Sequence, residues 1–201
     1  MKKLIVLSLV LLCSFLALAQ INSAVSMAPY YQVNYYSHRN NAFGADAPID
    51  IINPGTTGSP RSTGHGTICA DIYVFDANQR MIECCNCPIT ANGELELSIR
   101  NDLTGNPITG AGSAPDRGTI KIVADAPNVC NAAAPFPVSG LVAYATHLKQ
   151  LTPGGPVSAT EDEFEFVSNV SQDEISFLGT SCAFTRQLGS GKGVCTCGSG
   201  G

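Results

Sequence analysis

Three cysteines within four positions, Cys84, Cys85 and Cys87, constrain the fold of this 201-residue chain more than any other feature. Two further cysteines, Cys195 and Cys197, lie two positions apart near the C-terminus. Structural zinc sites and redox centres use C-x-x-C or wider spacings, so C-C-x-C and C-x-C disfavour a metal or a redox role. The cluster therefore predicts disulfide bonds that clamp the fold.

The N-terminus predicts export. Residues 1–19 combine two lysines, an apolar run and the small-residue pattern Ala17-Leu18-Ala19, which is typical of a cleaved signal peptide. Cleavage would remove Cys13 and leave an even number of cysteines in an oxidising compartment. We therefore expect a secreted protein, extracellular or at the cell surface. All remaining cysteines are predicted to form disulfides: Cys69, Cys84, Cys85, Cys87, Cys130, Cys182, Cys195 and Cys197.

The charge limits the partners. The chain has a net charge of −5, which becomes −7 without Lys2 and Lys3. Nucleic acids and anionic membrane surfaces bind basic faces, so we expect neither as a partner. No later segment is apolar over the length that a membrane span requires, so no membrane association is expected after cleavage.

The rest of the chain predicts a mainly β fold. Residues 67–87 contain two β-rich runs around the polar turn Asp76-Ala77-Asn78-Gln79 and predict a hairpin with Ile72, Val74 and Ile82 in the core. Further alternating runs are separated by turn residues; one of them, "GELELSI", is expected to place Leu95, Leu97 and Ile99 inward. This spacing predicts a disulfide-stapled β-sandwich, or a barrel-like domain, as a single unit over residues 20–201.

One segment predicts a helix. Ser171 and Glu174 form a capping-box pattern, apolar residues follow at helical spacing, and Gly189 provides a C-cap. We expect a helix near residues 172–188, within the segment 171–189, with Cys182 on its buried face. Residues 190–201 form a Gly/Ser-rich tail that is expected to be held only by its two cysteines.

Strand geometry suggests a pairing of the cysteines. Residues two apart share a face of a strand, so Cys85 and Cys87 are expected to pair with Cys195 and Cys197 as two rungs. Cys84 points to the opposite face and is expected to find its partner on the other strand of the hairpin. The predicted remaining pairs are Cys84 with Cys69, and Cys130 with Cys182.

The search for catalytic groups is negative. His38, His65 and His147 lie in no metalloprotease motif, and no nucleophile elbow, Walker loop or dinucleotide fingerprint is present. A triad assembled from distant residues stays open as an alternative. The acidic group at 161–165 is interpreted as a solvated strand edge rather than a calcium site. No catalytic residue, metal or cofactor is predicted.

The segment after the cleavage point suggests self-association. Residues 21–36 alternate with little charge, and residues 20–46 form an N-terminal strand and linker. The segment is either the first strand of its own sandwich or a donor strand that completes a neighbouring subunit. The tyrosines Tyr30 and Tyr36 are expected at the surface. The expected subunit contacts share one face: Val25, Met27, Tyr31, Val33 and Tyr35.

These observations favour a secreted structural or cell-surface protein, with the subunit of a filament assembled by strand donation as its specific form. The alternative is a secreted module that binds a small ligand or a carbohydrate. A hydrolase is third, since the sequence carries no catalytic signature.

Overall fold

The computed structural model describes residues 30–37, 46–56, 66–108, 115, 117–150, 152 and 155–198. A π-helical turn spans Ile99–Leu103, and a helix, α1, spans Gln172–Leu188. The strands are β1 (Tyr31–Ser37), β2 (Pro48–Ile52), β3 (Ile68–Asp76), β4 (Met81–Ile89), β5 (Glu94–Ser98), β6 (Arg117–Asp125), β7 (Val142–Gln150), β8 (Val157–Glu163) and β9 (Glu165–Phe166).

The described strands form two antiparallel sheets that face each other. One sheet has the order β4-β3-β6-β1-β9, and the other has the order β5-β2-β7-β8. This arrangement confirms the predicted disulfide-stapled β-sandwich with one C-terminal helix, and the sheets do not close into a barrel. The edge strand β8 is exposed along its whole length and carries the acidic residues Glu161, Asp162 and Glu163, as expected for a charged strand edge.

Two hydrophobic cores lie on opposite faces of the five-stranded sheet. The larger core fills the space between the sheets and contains Ile72, Val74 and Ile82, all fully buried as predicted. Truncating one such aliphatic side chain to alanine typically costs about 2–5 kcal/mol. The smaller core lies under α1, where Ile175 and Leu178 pack against the outer face of the sheet.

The hairpin follows the sequence prediction. β3 ends at Asp76 and β4 begins at Met81, so the turn lies where the polar residues predicted it. The Asp76 carboxylate accepts hydrogen bonds from the backbone N–H groups of Asn78 (2.8 Å) and Arg80 (3.0 Å), which closes the turn locally. Gln79 adopts a positive φ of 64° in this turn.

The helix also begins and ends as predicted. The Ser171 hydroxyl accepts a hydrogen bond from the Glu174 N–H at 3.1 Å, and Gly189 is the C-cap. Gly179 lies where α1 approaches a loop closely, since an added Cβ would stand 2.9 Å from Pro135 and 3.0 Å from the Ala133 carbonyl oxygen. This close approach explains why the helix contains a residue that lowers its intrinsic stability.

Four disulfides connect the eight cysteines of the described residues, and three of these bonds use the two faces of β4. Cys85 and Cys87 pair with Cys195 and Cys197 as the two predicted rungs. Cys84 points the other way, toward the smaller core, as predicted. The remaining bonds are Cys84–Cys182, which ties β4 to α1, and Cys69–Cys130.

The predicted pairs Cys84–Cys69 and Cys130–Cys182 are therefore wrong. In the hairpin register Cys84 stands opposite Tyr73, whereas Cys69 stands opposite Pro88. Four residues along a strand correspond to about 13 Å, which is too far for a disulfide. Cys69 instead lies beside the end of β6, opposite Asp125, from where the chain turns back and brings Cys130 to it.

The tail after Gly189 is held by more than its cysteines, contrary to expectation. The Cys84 N–H donates to the Gly193 carbonyl at 3.0 Å. The Thr196 hydroxyl donates to the Asp102 carboxylate at 2.7 Å, and the Thr196 N–H donates to the Asp102 carbonyl at 3.0 Å. The tail therefore extends the edge of β4 and packs against the turn after β5.

The disulfides indicate an oxidising environment, because such bonds rarely persist in a reducing cytosol. Across the part of the chain that the structure describes, no helix combines the length and apolarity of a membrane span.

The four disulfides should contribute unequally to stability. Cys69–Cys130 joins positions 61 residues apart, so its removal by alanine substitution should cost about 4 kcal/mol. With Cys85–Cys195 intact, Cys87–Cys197 closes only a ring of residues 85–87 and 195–197, so its removal should cost about 2 kcal/mol. Denaturant unfolding of the two double variants measures this difference, and equal losses would contradict it.

Candidate functional site

A cleft of about 640 Å³ opens beside the first half of α1, on the outer face of the five-stranded sheet. Its walls come from the end of β1, the β3–β4 turn, the start of β6 and Phe177 of α1. Ligand clefts in proteins typically have about 300–1,000 Å³. The size therefore suits a small organic ligand.

The floor of the cleft is a row of residues across three strands. Thr119 of β6 stands in register with Tyr35 of β1 on one side and with Phe75 of β3 on the other. Residues in register share a face of the sheet, so two aromatic rings flank a small central side chain. Thr119 is the smallest side chain of this row, which is called the Thr119 row below.

Gly118 and Tyr36 support the floor from below. Tyr36 stands opposite Gly118, and a Cβ at Gly118 would lie 2.7 Å from the Tyr36 ring. Only glycine leaves room for the ring at this position. Tyr36 is fully buried in the core between the sheets, so the expectation that it is exposed is wrong.

Phe177 forms the wall on the helix side. Its ring stacks against Phe75 with centroids 6.4 Å apart, yet half of its surface remains exposed (50%). The Lys121 ammonium lies 5.0 Å from the centroid of the Phe75 ring, within range of a cation–π interaction. The cleft therefore presents partly exposed aromatic surface next to positive charge.

The start of α1 is fixed to the sheet by Glu174. The Lys121 ammonium and the Glu174 carboxylate form an ion pair at 2.6 Å, and the Tyr31 hydroxyl donates to the same oxygen at 3.3 Å. Burial, together with the neighbouring Glu174 charge, raises the pKa of Tyr31 well above its ordinary value, so its hydroxyl remains a donor. These contacts hold Phe177, one turn further along α1, over the sheet.

The hairpin turn closes the opposite side of the cleft. The Arg80 guanidinium donates to one Asp76 carboxylate oxygen from Nε (2.9 Å) and Nη2 (2.7 Å). Burial alone would raise the pKa of Asp76, but its hydrogen bonds with Arg80 and Asn78 and the Arg80 charge outweigh burial and lower it. Asp76 is therefore ionised, and the charge of Arg80 balances it in the cleft wall.

Tyr35 is held in place by His147 of the other sheet. The two rings stack at 4.0 Å with an interplanar angle of 7°. His147 is buried, neither ring nitrogen has a hydrogen-bond partner among the described residues, and Asp162 lies 3.7 Å from Nε2. Burial lowers the pKa of His147, partly offset by Asp162, so the imidazole is neutral at pH 7.

A second cavity of about 570 Å³ lies on the other side of Phe177. Met81 and Ile108 line it from the sheet side, and Phe184 lines it from α1. Phe177 and Phe184 are half or more exposed and lie seven residues apart, on one side of the helix. Phe177 is the boundary between the two cavities.

A separate cluster of buried acids lies beneath the second half of α1. Asp71 and Asp125 are both fully buried. The Asp125 carboxylate accepts hydrogen bonds from the N–H groups of Ala126 and Phe136, both at 2.7 Å. Burial and the Asp125 charge raise the pKa of Asp71 to about 8, so Asp71 is protonated at pH 7. Since neither carboxyl group reaches solvent, the pair is part of the core rather than of a substrate site.

The structure separates the residues that the sequence analysis proposed as subunit contacts. Tyr31 is buried, Val33 is half-buried and Tyr35 is exposed (53%), all within a strand that pairs with β6 along its full length. Val25 and Met27 lie outside the described residues. The intersubunit role of these five residues therefore stays a prediction, and Tyr35 is the one that the structure places in the cleft.

The cleft itself was not apparent from the sequence. Phe177 and Phe184 interrupt the polar side of α1, and this irregular pattern was the available signal for an exposed aromatic surface. The Thr119 row, which consists of Tyr35, Thr119 and Phe75, has no comparable signal in the sequence, because it depends on how three strands pair. In the described ranges, from residue 30 to residue 198 with their gaps, no group of three His, Cys, Asp or Glu side chains is placed to hold a metal ion.

Comparison of the chain with protein-family models, with curated proteins and with solved structures gave no match. The geometry of the cleft is therefore the basis for assigning a function.

The protein should be more stable at mildly acidic pH than at pH 8. Asp71 has a pKa of about 8 in the folded state and 3.8 as the unfolded reference value, so the folded state holds a proton that the unfolded state releases between these values. Stability therefore falls as pH rises, by at most about 1.4 kcal/mol per pH unit from this group. Glu83, whose pKa burial raises to about 7, acts in the same direction.

Asp71→Asn tests this assignment. It should flatten the dependence of the free energy of unfolding on pH and make the protein more stable than the native chain at pH 8. Glu163→Gln, which replaces an exposed carboxylate, serves as the control. An unchanged pH profile in Asp71→Asn would show that Asp71 is not the responsible group.

Proposed function

We propose that the protein is exported and acts as a binding module whose ligand enters the cleft around Phe177. The observation that carries this proposal is that two half-exposed aromatic rings, those of Tyr35 and Phe177, line one cleft together with Thr119. The four disulfides and the N-terminal signal pattern support an extracellular or cell-surface location.

The energetics of the cleft support binding rather than folding. Phe177 and Tyr35 keep about half of their surface exposed, although each could contribute to stability by burial. Covering apolar surface yields about 25 cal/mol per Å², and an aromatic side chain offers about 150–250 Å² in total. A ligand that covers the exposed parts of both rings therefore gains several kcal/mol of binding free energy, because folding does not bury this surface.

The geometry around His147 argues against a hydrolase. A Ser-His-Asp mechanism needs a nucleophile hydrogen-bonded to the imidazole. Both nitrogens of His147 lack a hydrogen-bond partner within the described residues, and its ring face is covered by Tyr35. His38 and His65 lie outside the described residues. His147 therefore gives no support to a hydrolase, and the proposal is a binding function.

The second candidate is the filament subunit assembled by strand donation. The observation that favours it is the shortness of β9, which pairs with β1 only at Gln32 and Val33. A strand from a neighbouring subunit could replace or extend such a short strand beside β1. Because β1 pairs fully with β6, this candidate requires either exchange of β1 or addition at its β9 side.

Phe177→Ala should abolish or weaken ligand binding by at least about tenfold, because it removes the wall shared by both cavities. The test is a saturation-transfer NMR screen of planar aromatic fragments against the native protein and the variant. Phe136→Ala is the matched control, since Phe136 is also exposed (63%) but lines neither cavity. Fragments that bind all three proteins equally would exclude the cleft as the site.

Strand donation predicts a different result. The mature protein should form polymers visible by electron microscopy, and deletion of residues 21–36 should abolish them. The shortened domain should then bind a free peptide of residues 21–36, because the deletion leaves β6 paired with β3 but without a partner on its other side. A mature protein that stays monomeric at high concentration would exclude this candidate.

A further inference from the structure

We infer that the ligand of the cleft is a planar aromatic acid, whose ring lies over Thr119 and whose negative group faces Arg117. This inference rests on the proposed binding function and names the chemical class of the ligand. It depends on the spacing of the aromatic side chains and on the balance of charge in the cleft.

The spacing of the floor fits a flat ring. Tyr35 and Phe75 lie on the strands to either side of Thr119, so their backbones are two strand spacings apart, about 9–10 Å. The rings that a ligand above Thr119 can contact are those of Tyr35 and Phe177, which line the cleft and are half exposed; aromatic pairs interact at centroid distances of about 4.5–7 Å.

Two of the charged groups in the cleft are already neutralised. The Lys121 ammonium is paired with Glu174 at 2.6 Å, and the Asp76 carboxylate is paired with Arg80 at 2.7 Å. Asp76 therefore offers little repulsion to an anion. Lys121 offers little attraction unless the ligand displaces Glu174.

Arg117 is the cation that remains. It lines the cleft, it is exposed, and among the described residues it has no ion-pair partner. It precedes Thr119 by two residues, so both side chains emerge on the same face about 7 Å apart along β6. The guanidinium can therefore bind a carboxylate carried by a ring above Thr119, in the two-pronged geometry that arginine prefers.

The test uses the disulfide-bonded protein and three probes measured by calorimetry. Naphthoate is a planar acid, naphthamide is its neutral counterpart, and cyclohexanecarboxylate is an acid without a planar ring. Naphthoate should bind about tenfold more tightly than either of the other two, because only naphthoate offers both a ring to stack and a charge for Arg117.

Arg117→Gln should remove the preference for naphthoate over naphthamide and leave naphthamide binding unchanged. Lys192→Gln, which removes an exposed cation outside the cleft lining, should keep the preference. Phe177→Ala should weaken naphthoate and naphthamide alike. Thermal unfolding of each variant verifies that it is folded.

The outcomes separate this inference from the proposed function. If naphthamide binds as tightly as naphthoate and binding still requires Phe177, the cleft is a binding site but its ligand is not an acid. If no probe shows binding that depends on Phe177, both the ligand class and the binding function fail. If cyclohexanecarboxylate matches naphthoate, the planar ring is not recognised and the inference is wrong.

Discussion

The structure depends on two adjacent cysteines of β4, which form disulfides with distant residues on opposite faces of one sheet. Cys84 joins α1 through Cys182, across 98 positions, and Cys85 joins the C-terminal tail through Cys195, across 110 positions. Side chains of neighbouring residues in a strand point in opposite directions, so one short segment contributes to both hydrophobic cores. Constraints between such distant positions lower the entropy of the unfolded chain substantially. β4 therefore fixes the helix and the tail relative to the sandwich.

The cleft is a consequence of this attachment. α1 is bonded to the sheet in its second half through Cys182 and is ion-paired to it near its start through Glu174. Between these points Phe177 lines the cleft and stays half exposed. The exposed aromatic surface is thus held open by the same contacts that stabilise the second core. This rigidity favours binding, since a preformed site has little ordering cost.

Much of the fold could be predicted because its signals are local. Three features depend only on residues that are close together in the sequence: the turn at 76–79, the inward orientation of Leu95 and Leu97, and the capping of α1. The partner of Cys69 could not be predicted, because it depends on the hairpin register and on the loop after β6. The Thr119 row and the burial of Asp71 depend on tertiary contacts as well. Alternation predicts which face a residue takes, but not which distant residue it meets.

Disulfide mapping tests the central role of β4 most directly. Partial reduction of the unreduced protein, followed by alkylation, proteolysis and mass spectrometry, would resolve the partners of the adjacent Cys84 and Cys85. The structure predicts Cys84 linked to Cys182 and Cys85 linked to Cys195. A bond from Cys84 to Cys69, or both cysteines linked to the C-terminal tail, would show that β4 does not connect the two cores and would remove the physical basis of the cleft.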